Sequence, residues 1–244
     1  MDNALMIGLQ SQRMLQQRLD ATANNLANAA TTGFKADGMV FEMLVKQPAS
    51  AAAAPRDVRF VRDAGLMRDM SQGPVTRTGS PLDVAIEGDG FFIVKGPDGQ
   101  PAYTRDGAFT LSADGTLVTK DGRPVLSATG SPVVFDAQGG VPSIDADGTV
   151  RVEGVEAGQI GLKKFADPSA LEKIGDNLYA AAGQQPLDSD SRIVQFALEG
   201  SNVRPVVELT RLIEISRAYE SAARIVKNGD DMRKEAIDHM GRAA

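Results

Sequence analysis

The side chains able to do chemistry in this sequence are mostly carboxylates and amides. There is no cysteine, and the single histidine, His239, lies close to the C-terminus. Disulfides, thiolate metal sites and cysteine nucleophiles are therefore excluded. One imidazole near a chain end is a poor basis for a Ser-His-Asp triad and cannot make a multi-histidine metal site. Carboxylate-only hydrolysis stays open, and it would need two carboxylates about 5–10 Å apart in a cleft. Two short segments look chemical. Gly88-Asp89-Gly90 resembles a phosphate-cradling loop, but no Lys-Ser/Thr and no helix N-terminus follow it. Asp145-Ala146-Asp147-Gly148 resembles the opening of a calcium loop, but no run of oxygen ligands continues it. Both segments read better as turns between strands.

The amides are less ordinary. Asn24, Asn25 and Asn28 fall within five positions at the end of an amphipathic stretch. Asparagine is a poor helix-interior residue because its amide competes for nearby backbone groups. Three of them would weaken a helix that had no use for amides. Thr31-Thr32-Gly33 then stops the helix, with Gly33 free to take a left-handed cap and Phe34 placed to fold back.

These residues need elements to position them. Leu5, Leu9, Leu15, Leu19, Ala23 and Leu26 recur mostly four apart, which predicts one helix over 3–30. A lone stripe of this kind needs a partner, and the other terminus offers one. Pro205 suits a first helical turn, and residues 206–242 read as a second long helix. Its seam is Leu209, Leu212, Ser216, Tyr219, Ala223 and Val226, with Glu208/Arg211, Glu214/Arg217 and Glu220/Arg224 on the exposed side. Between the helices, alternation of period two and Asp-Gly turns at about eight-residue spacing predict an all-β domain over 81–184. Its expected strands include 81–86, 91–94, 133–135, 141–144, 149–152, 159–165 and 177–180, and 171–175 reads as a short turn. Residues 36–80 and 185–204 read as extended linkers, with an Ala/Pro/Ser stretch at 47–55. The expected architecture is α+β, with terminal helices over 1–35 and 205–244 paired as a coiled coil around a central β domain.

The net charge of −6 lies entirely in the middle of the chain. Residues 1–46 carry four cations and four anions, and residues 205–244 carry seven of each. Balanced ends suit packing against like copies, and an acidic middle argues against nucleic acid or an anionic membrane. No apolar run reaches transmembrane length, and the N-terminus lacks the pattern of a secretory signal.

Three regions carry a resemblance. The string Ala23-Asn24-Asn25-Leu26-Ala27-Asn28-Ala29-Ala30-Thr31-Thr32-Gly33-Phe34-Lys35 resembles the N-terminal signature of the flagellar axial proteins, the rod, hook and hook-associated subunits. Asp83 to Phe92, Tyr103-Thr104-Arg105-Asp106-Gly107-Ala108-Phe109 and Lys173 to Tyr179 resemble the outer β domain of rod and hook proteins. Leu198-Glu199-Gly200-Ser201-Asn202-Val203-Arg204-Pro205 resembles the entry to their C-terminal helix, in a form nearer a proximal than a distal rod protein. The resemblance implies a structural subunit with no cofactor, no metal and no small-molecule substrate. It would assemble with copies of itself and other rod proteins into a drive shaft passing torque from motor to hook. It also implies passage through the flagellar export apparatus without a cleavable signal. The residues expected to pack between subunits are Leu19, Asn24, Asn25, Leu26, Asn28, Gly33, Phe34, Ser201, Asn202, Leu209, Leu212, Tyr219 and Val226. The rival readings are a distal rod protein, a carboxylate-dependent peptidoglycan hydrolase and a free calcium-binding β module.

Overall fold

The computed structural model describes residues 2–46, 58–136 and 140–242. The stretch 47–55, with the whole Ala-rich run 49–54 inside it, therefore lies outside the described residues. The chain begins with helix α1 (Asp2–Ala27) and ends with helix α2 (Pro205–Arg242). Between them run β1 (Asp37–Lys46), β2 (Val58–Arg68), β3 (Val75–Arg77), β4 (Val84–Glu87), β5 (Phe91–Lys95) and β6 (Pro101–Thr104). Next come β7 (Phe109–Leu111), β8 (Leu117–Thr119), β9 (Val125–Leu126), β10 (Ser143–Ile144), β11 (Thr149–Val152) and β12 (Val155–Gln159). The last six are β13 (Leu162–Lys164), β14 (Glu172–Gly175), β15 (Leu178–Ala180), β16 (Leu187–Asp188), β17 (Arg192–Gln195) and β18 (Ala197–Glu199). The fold class is α+β.

Two compact units emerge. The first takes Met1–Ala27, Asp37–Met67 and Arg204–Ala244; the second takes Asn28–Ala36 and Arg68–Val203. The first unit holds both helices and the β1–β2 pair. Its helices lie against each other and run antiparallel. Gly8 is so close to Val226 that a Cβ would meet a valine methyl at 2.7 Å, and Asn25 reaches Glu208. Helix α1 stops at Ala27, three residues short of the expected end. Asn28 there accepts from the Thr31 backbone and hydroxyl, so the chain turns instead of winding on. Helix α2 continues through Asn228-Gly229.

The second unit is built of antiparallel sheets around two apolar clusters. Its largest sheet orders β14-β15-β6-β5-β13-β16, with β9 also on β5. Strand β5 explains its own sequence. Phe92 and Val94 enter one cluster with Val84, Phe109 and Leu117, while Phe91 and Ile93 enter the other with Tyr103, Phe165 and Tyr179. A strand covered on both faces reads as a continuous apolar run, which is why Phe91-Phe92-Ile93-Val94 does not alternate. Edge-to-face aromatic pairs fix both sides: Phe92 with Phe109 at 5.1 Å, and Tyr103 with Phe165 at 4.7 Å.

Some expected elements change. Residues 172–175 are a strand and not the short turn expected. They pair with β15 across Asp176 and Asn177, both in left-handed backbone, as a tight hairpin turn requires. The expected strand 159–165 divides at Ile160-Gly161, where the chain leaves the β10-β11-β12 sheet for the larger one. Residues 37–46, 58–68 and 75–77, within the stretch read as linker, form strands, and so do 187–188, 192–195 and 197–199.

Candidate subunit-packing elements

The two segments that look chemical are turns. Gly88-Asp89-Gly90 joins β4 to β5. Asp145 accepts from the Gly148 amide and pairs with Arg151, and Asp147 accepts from the Thr149 amide. A cavity of about 560 Å³ is lined by Asp147, Asp188 and Asp190 among others. Hydrogen bonds from Thr149 hold Asp147 below the usual carboxylate range, and the Lys163 ammonium does the same to Asp188.

The amides do structural work at the end of α1. Asn25 is buried. Its Nδ2 donates to the Asp37 carbonyl at 2.9 Å, and its Oδ1 accepts from the Asp37 amide at 2.9 Å. One side chain thus satisfies both backbone groups of the first residue of β1, as a neighbouring strand would. Nδ2 also lies 3.4 Å from the Glu208 carboxylate, which accepts from Arg211 at 2.6 Å. Glu208 is therefore buried and not on a solvated face, which rotates the inward stripe of α2. That stripe carries Glu208, Ile215 and Val226. Leu209 stands off it, 47% exposed, while Leu212, Tyr219, Leu19, Leu26 and Asn28 are half-buried and Asn24 is exposed.

The Thr-Thr-Gly-Phe-Lys segment is part of the β-rich unit. The Gly33 amide donates to the Glu199 carbonyl at 2.8 Å, and the Asn202 amide donates to the Phe34 carbonyl at 3.3 Å. The Ala36 amide donates to Asn202 Oδ1 at 2.8 Å, and Asn202 Nδ2 donates to the Asp69 carbonyl at 2.8 Å. Phe34 is buried, with the Lys173 ammonium 4.4 Å from its ring centre. Ser201 is buried, and its hydroxyl accepts from the Val203 amide. Gly33, Phe34, Ser201 and Asn202, far apart in sequence, therefore meet at one junction.

At its centre lies a charge cluster that sequence reasoning missed. Glu199 is fully buried. Its Oε1 accepts from Lys35 Nζ at 2.5 Å and from the Gly73 amide at 2.9 Å, and its Oε2 faces Arg105 at 3.3 Å. Lys35 also donates to the Ser71 carbonyl at 2.7 Å. Arg105 lies over the Phe91 ring at 4.9 Å. Burial pushes the Lys35 ammonium below its usual pKa, with the Glu199 carboxylate opposing the shift. Lys35, Arg105 and Glu199 all stood in the quoted motifs. No spacing rule pairs residues 35, 105 and 199, so only the fold unites them.

Asp106, next to this cluster, supports one prediction. Burial raises its pKa above the ordinary 3.8, while bonds from the Thr32 hydroxyl at 2.7 Å and the Ala108 amide oppose the shift. The folded chain thus keeps this proton to higher pH than the unfolded chain does. Folded protein binds more protons between the two pKa values, so this group's contribution to stability falls as pH rises from 3.8. Asp106→Asn keeps the acceptor oxygen and removes the charge. The variant is expected to be at least as stable as wild type at neutral pH, with a flatter pH dependence in urea melts. A loss above about 1 kcal/mol at neutral pH would show that the charge itself is needed.

Buried bonding at the chain junction, with apolar side chains left exposed along both helices, defines a structural subunit. Comparison with known proteins gives the same class. The family model described as flagella basal body rod protein matches residues 8–35. The flagellar hook protein FlgE/F/G D1 domain matches 85–152, and the flagellar basal body rod FlgEFG protein C-terminal matches 194–238. The chain is 43% identical over 245 residues to the flagellar basal-body rod protein FlgF of Caulobacter vibrioides, covering 99% of each. It is 36% identical over 244 residues to FlgF of Mesorhizobium japonicum, again covering 99% of each. To the flagellar basal-body rod protein FlgG of Bacillus subtilis it is 34% identical over 259 residues, covering 96% and 98%. The chain belongs to the flagellar basal-body rod protein family, in its FlgF-like branch. It is a structural subunit of the bacterial flagellar basal body. Among the described residues, no helix is long and apolar enough to cross a membrane.

Proposed function

We propose that this subunit builds the proximal rod, and that its terminal helices are the polymerising elements. The observation that carries this reading is the apolar surface left uncovered on both helices. Ile7 and Leu9 on α1, and Val206, Leu209, Ile213, Ile225 and Met232 on α2, are each between 46% and 77% exposed. The α1–α2 pair leaves these side chains for neighbours to cover. In the assembled rod the pair would act as a coiled coil, with Leu19, Leu26, Leu209, Leu212, Tyr219 and Val226 packing between subunits. Asn24 and Asn28 would bond to adjacent helices, and Asn25 would hold the helix end in the angle that packing needs. The β-rich part, centred on 81–184, would lie outside the tube. Copies of this chain and other rod proteins are the partners, and the subunit reaches its place through the flagellar export apparatus. The 43% identity to the FlgF of Caulobacter vibrioides, against 34% to the FlgG of Bacillus subtilis, supports a proximal over a distal position.

A lone helix pair is weakly stable, because ordering its backbone costs about 1–2 kcal/mol per residue. Apolar burial on one stripe offsets only part of that cost. The helices are therefore expected to exchange amide hydrogen rapidly across 2–27 and 205–242 in dilute monomer, and slowly in isolated rods, while the β-rich unit stays protected in both. Strong protection of both helices in a demonstrated monomer would overturn assembly-coupled folding.

A further inference from the structure

Helices α1 and α2 carry their uncovered apolar side chains in two groups, and the geometry of an antiparallel pair places each group. Gly8 abuts Val226, and Asn25 reaches Glu208. Val226 and Glu208 are 18 residues apart, about five whole turns, so both look toward α1. Val206, Leu209 and Ile213, at spacings of three and four, share one face of α2, turned roughly 100–160° from the residues that look toward α1. All three are exposed. Ile225 and Met232, seven apart and both exposed, share another face, turned roughly 100–120° the opposite way.

Handedness decides which residue of α1 joins each group. Where two right-handed helices run antiparallel, residues that precede a facing pair lie on one side of it, and residues that follow lie on the other. Ile7 precedes Gly8 and Ile225 precedes Val226, so the exposed Ile7 stands beside Ile225. Leu209 follows Glu208 and lies on the other side. Strand β1 explains why the Ile7 side is open only at one end. Asp37 and Gly38 share a cavity of about 320 Å³ with Ala21 of α1 and Arg211 of α2, both turned to that side. Leu9 and Val207 are exposed singly, which is ordinary for a surface. One group, Val206, Leu209 and Ile213, thus lies on one side near the end of α1. The other, Ile7, Ile225 and Met232, lies on the opposite side near its start.

We propose that the first group of one copy of this chain docks on the second group of the next copy. This rests on the rod-subunit reading. A two-fold contact uses one patch twice, so a single two-fold partner cannot cover both groups. Docking unlike patches covers both in every copy and leaves the series open. The charges permit it: residues 1–46 carry four cations and four anions, and residues 205–244 carry seven of each, so like copies meet without net repulsion. Leu209 and the midpoint of Ile225 and Met232 are about 20 residues apart, which offsets successive copies by about 30 Å along their helices. Such an offset, repeated, builds a helical array and not a flat ring.

The test uses the full chain as the sole version in flagellated cells. Photoreactive p-benzoylphenylalanine replaces Ile213, isolated basal bodies are irradiated, and the joined peptides are identified by mass. The expected product links Ile213 of one copy to the segment around Ile7, Ile225 or Met232 of another. The same probe at Ile225 is expected to reach the segment around Leu209 of a second copy. A link from Ile213 to the Leu209 segment of another copy, a product with a different protein only, or no product overturns the proposal. Leu209→Asp and Ile225→Asp are each expected to leave the melting temperature of the β-rich unit unchanged, while recovery of the chain in basal bodies falls about tenfold. A lowered melting temperature, or full recovery of either variant, also overturns it. These failures leave the rod reading intact, whereas absence of the wild-type chain from basal bodies would sink that reading.

Discussion

Replacing Glu199 with alanine will destabilise the β-rich unit by about 3–5 kcal/mol. The reason is what the deletion leaves behind. Lys35 and Arg105 are almost wholly buried, and Glu199 is the carboxylate each of them faces within 4 Å. Removing it strands two cations in a dry site and also frees the Gly73 amide. Glu199→Gln should cost less, because the amide keeps an acceptor for Gly73 and Lys35, but it still loses the charge. Adding Lys35→Met to Glu199→Leu should recover part of the loss, since one stranded charge goes and apolar groups refill the space. Equilibrium unfolding in urea, followed by a probe of β structure, measures each step. A loss below about 1 kcal/mol for Glu199→Ala would mean that water reaches the cations and that the cluster is not dry. The functional consequence follows from position. The cluster joins the segment after α1 to the segment before α2, so its failure should abolish rod incorporation even with both helices unaltered.

Gly33→Ala is expected to be nearly as damaging, at about 4 kcal/mol. Gly33 has φ at 66°, and a Cβ there would lie 2.4 Å from the Asp106 nitrogen and 2.5 Å from the Arg105 carbonyl carbon. Those are backbone atoms, so no side chain can rotate away. The loop must retreat, breaking the Gly33 amide bond to Glu199 and the Thr32 bond to Asp106. Gly122→Ala supplies the control. Gly122 has φ at 79° with nothing within 4 Å of the added Cβ, so its cost should be the left-handed backbone alone, about 1–2 kcal/mol. The difference between the two variants isolates the close approach. Equal losses would show that the backbone angle explains everything and that the segment has room to shift.

These predictions also separate what the chain order declares from what the fold decides. Both helices were legible in the sequence because period and cap are local properties. Apolar residues three and four apart, Pro205 at the start of α2 and Gly33 beyond α1 need no knowledge of distant residues. The β class was legible for the same reason, from Asp-Gly turns at short intervals. Residues 172–175 were misread because a strand of four residues has too few positions to show a period. Glu208 was misread because it looks like a solvated charge, and its burial depends on a partner, Asn25, that lies far away in sequence.

The sequence by itself also identified the residues of the junction, since Gly33, Phe34, Ser201 and Asn202 stood in motifs that resemble the axial family. It did not determine that they meet, or that Lys35, Arg105 and Glu199 meet among them. A buried ion cluster leaves no periodic trace. Each member reads as an ordinary surface charge until the backbone carries it out of water, and the cost of that transfer can be met only by partners more than ninety residues away. Local propensity fixes which segments are helix or strand. Which charges survive burial is settled by long-range pairing, and that information exists only in the tertiary structure.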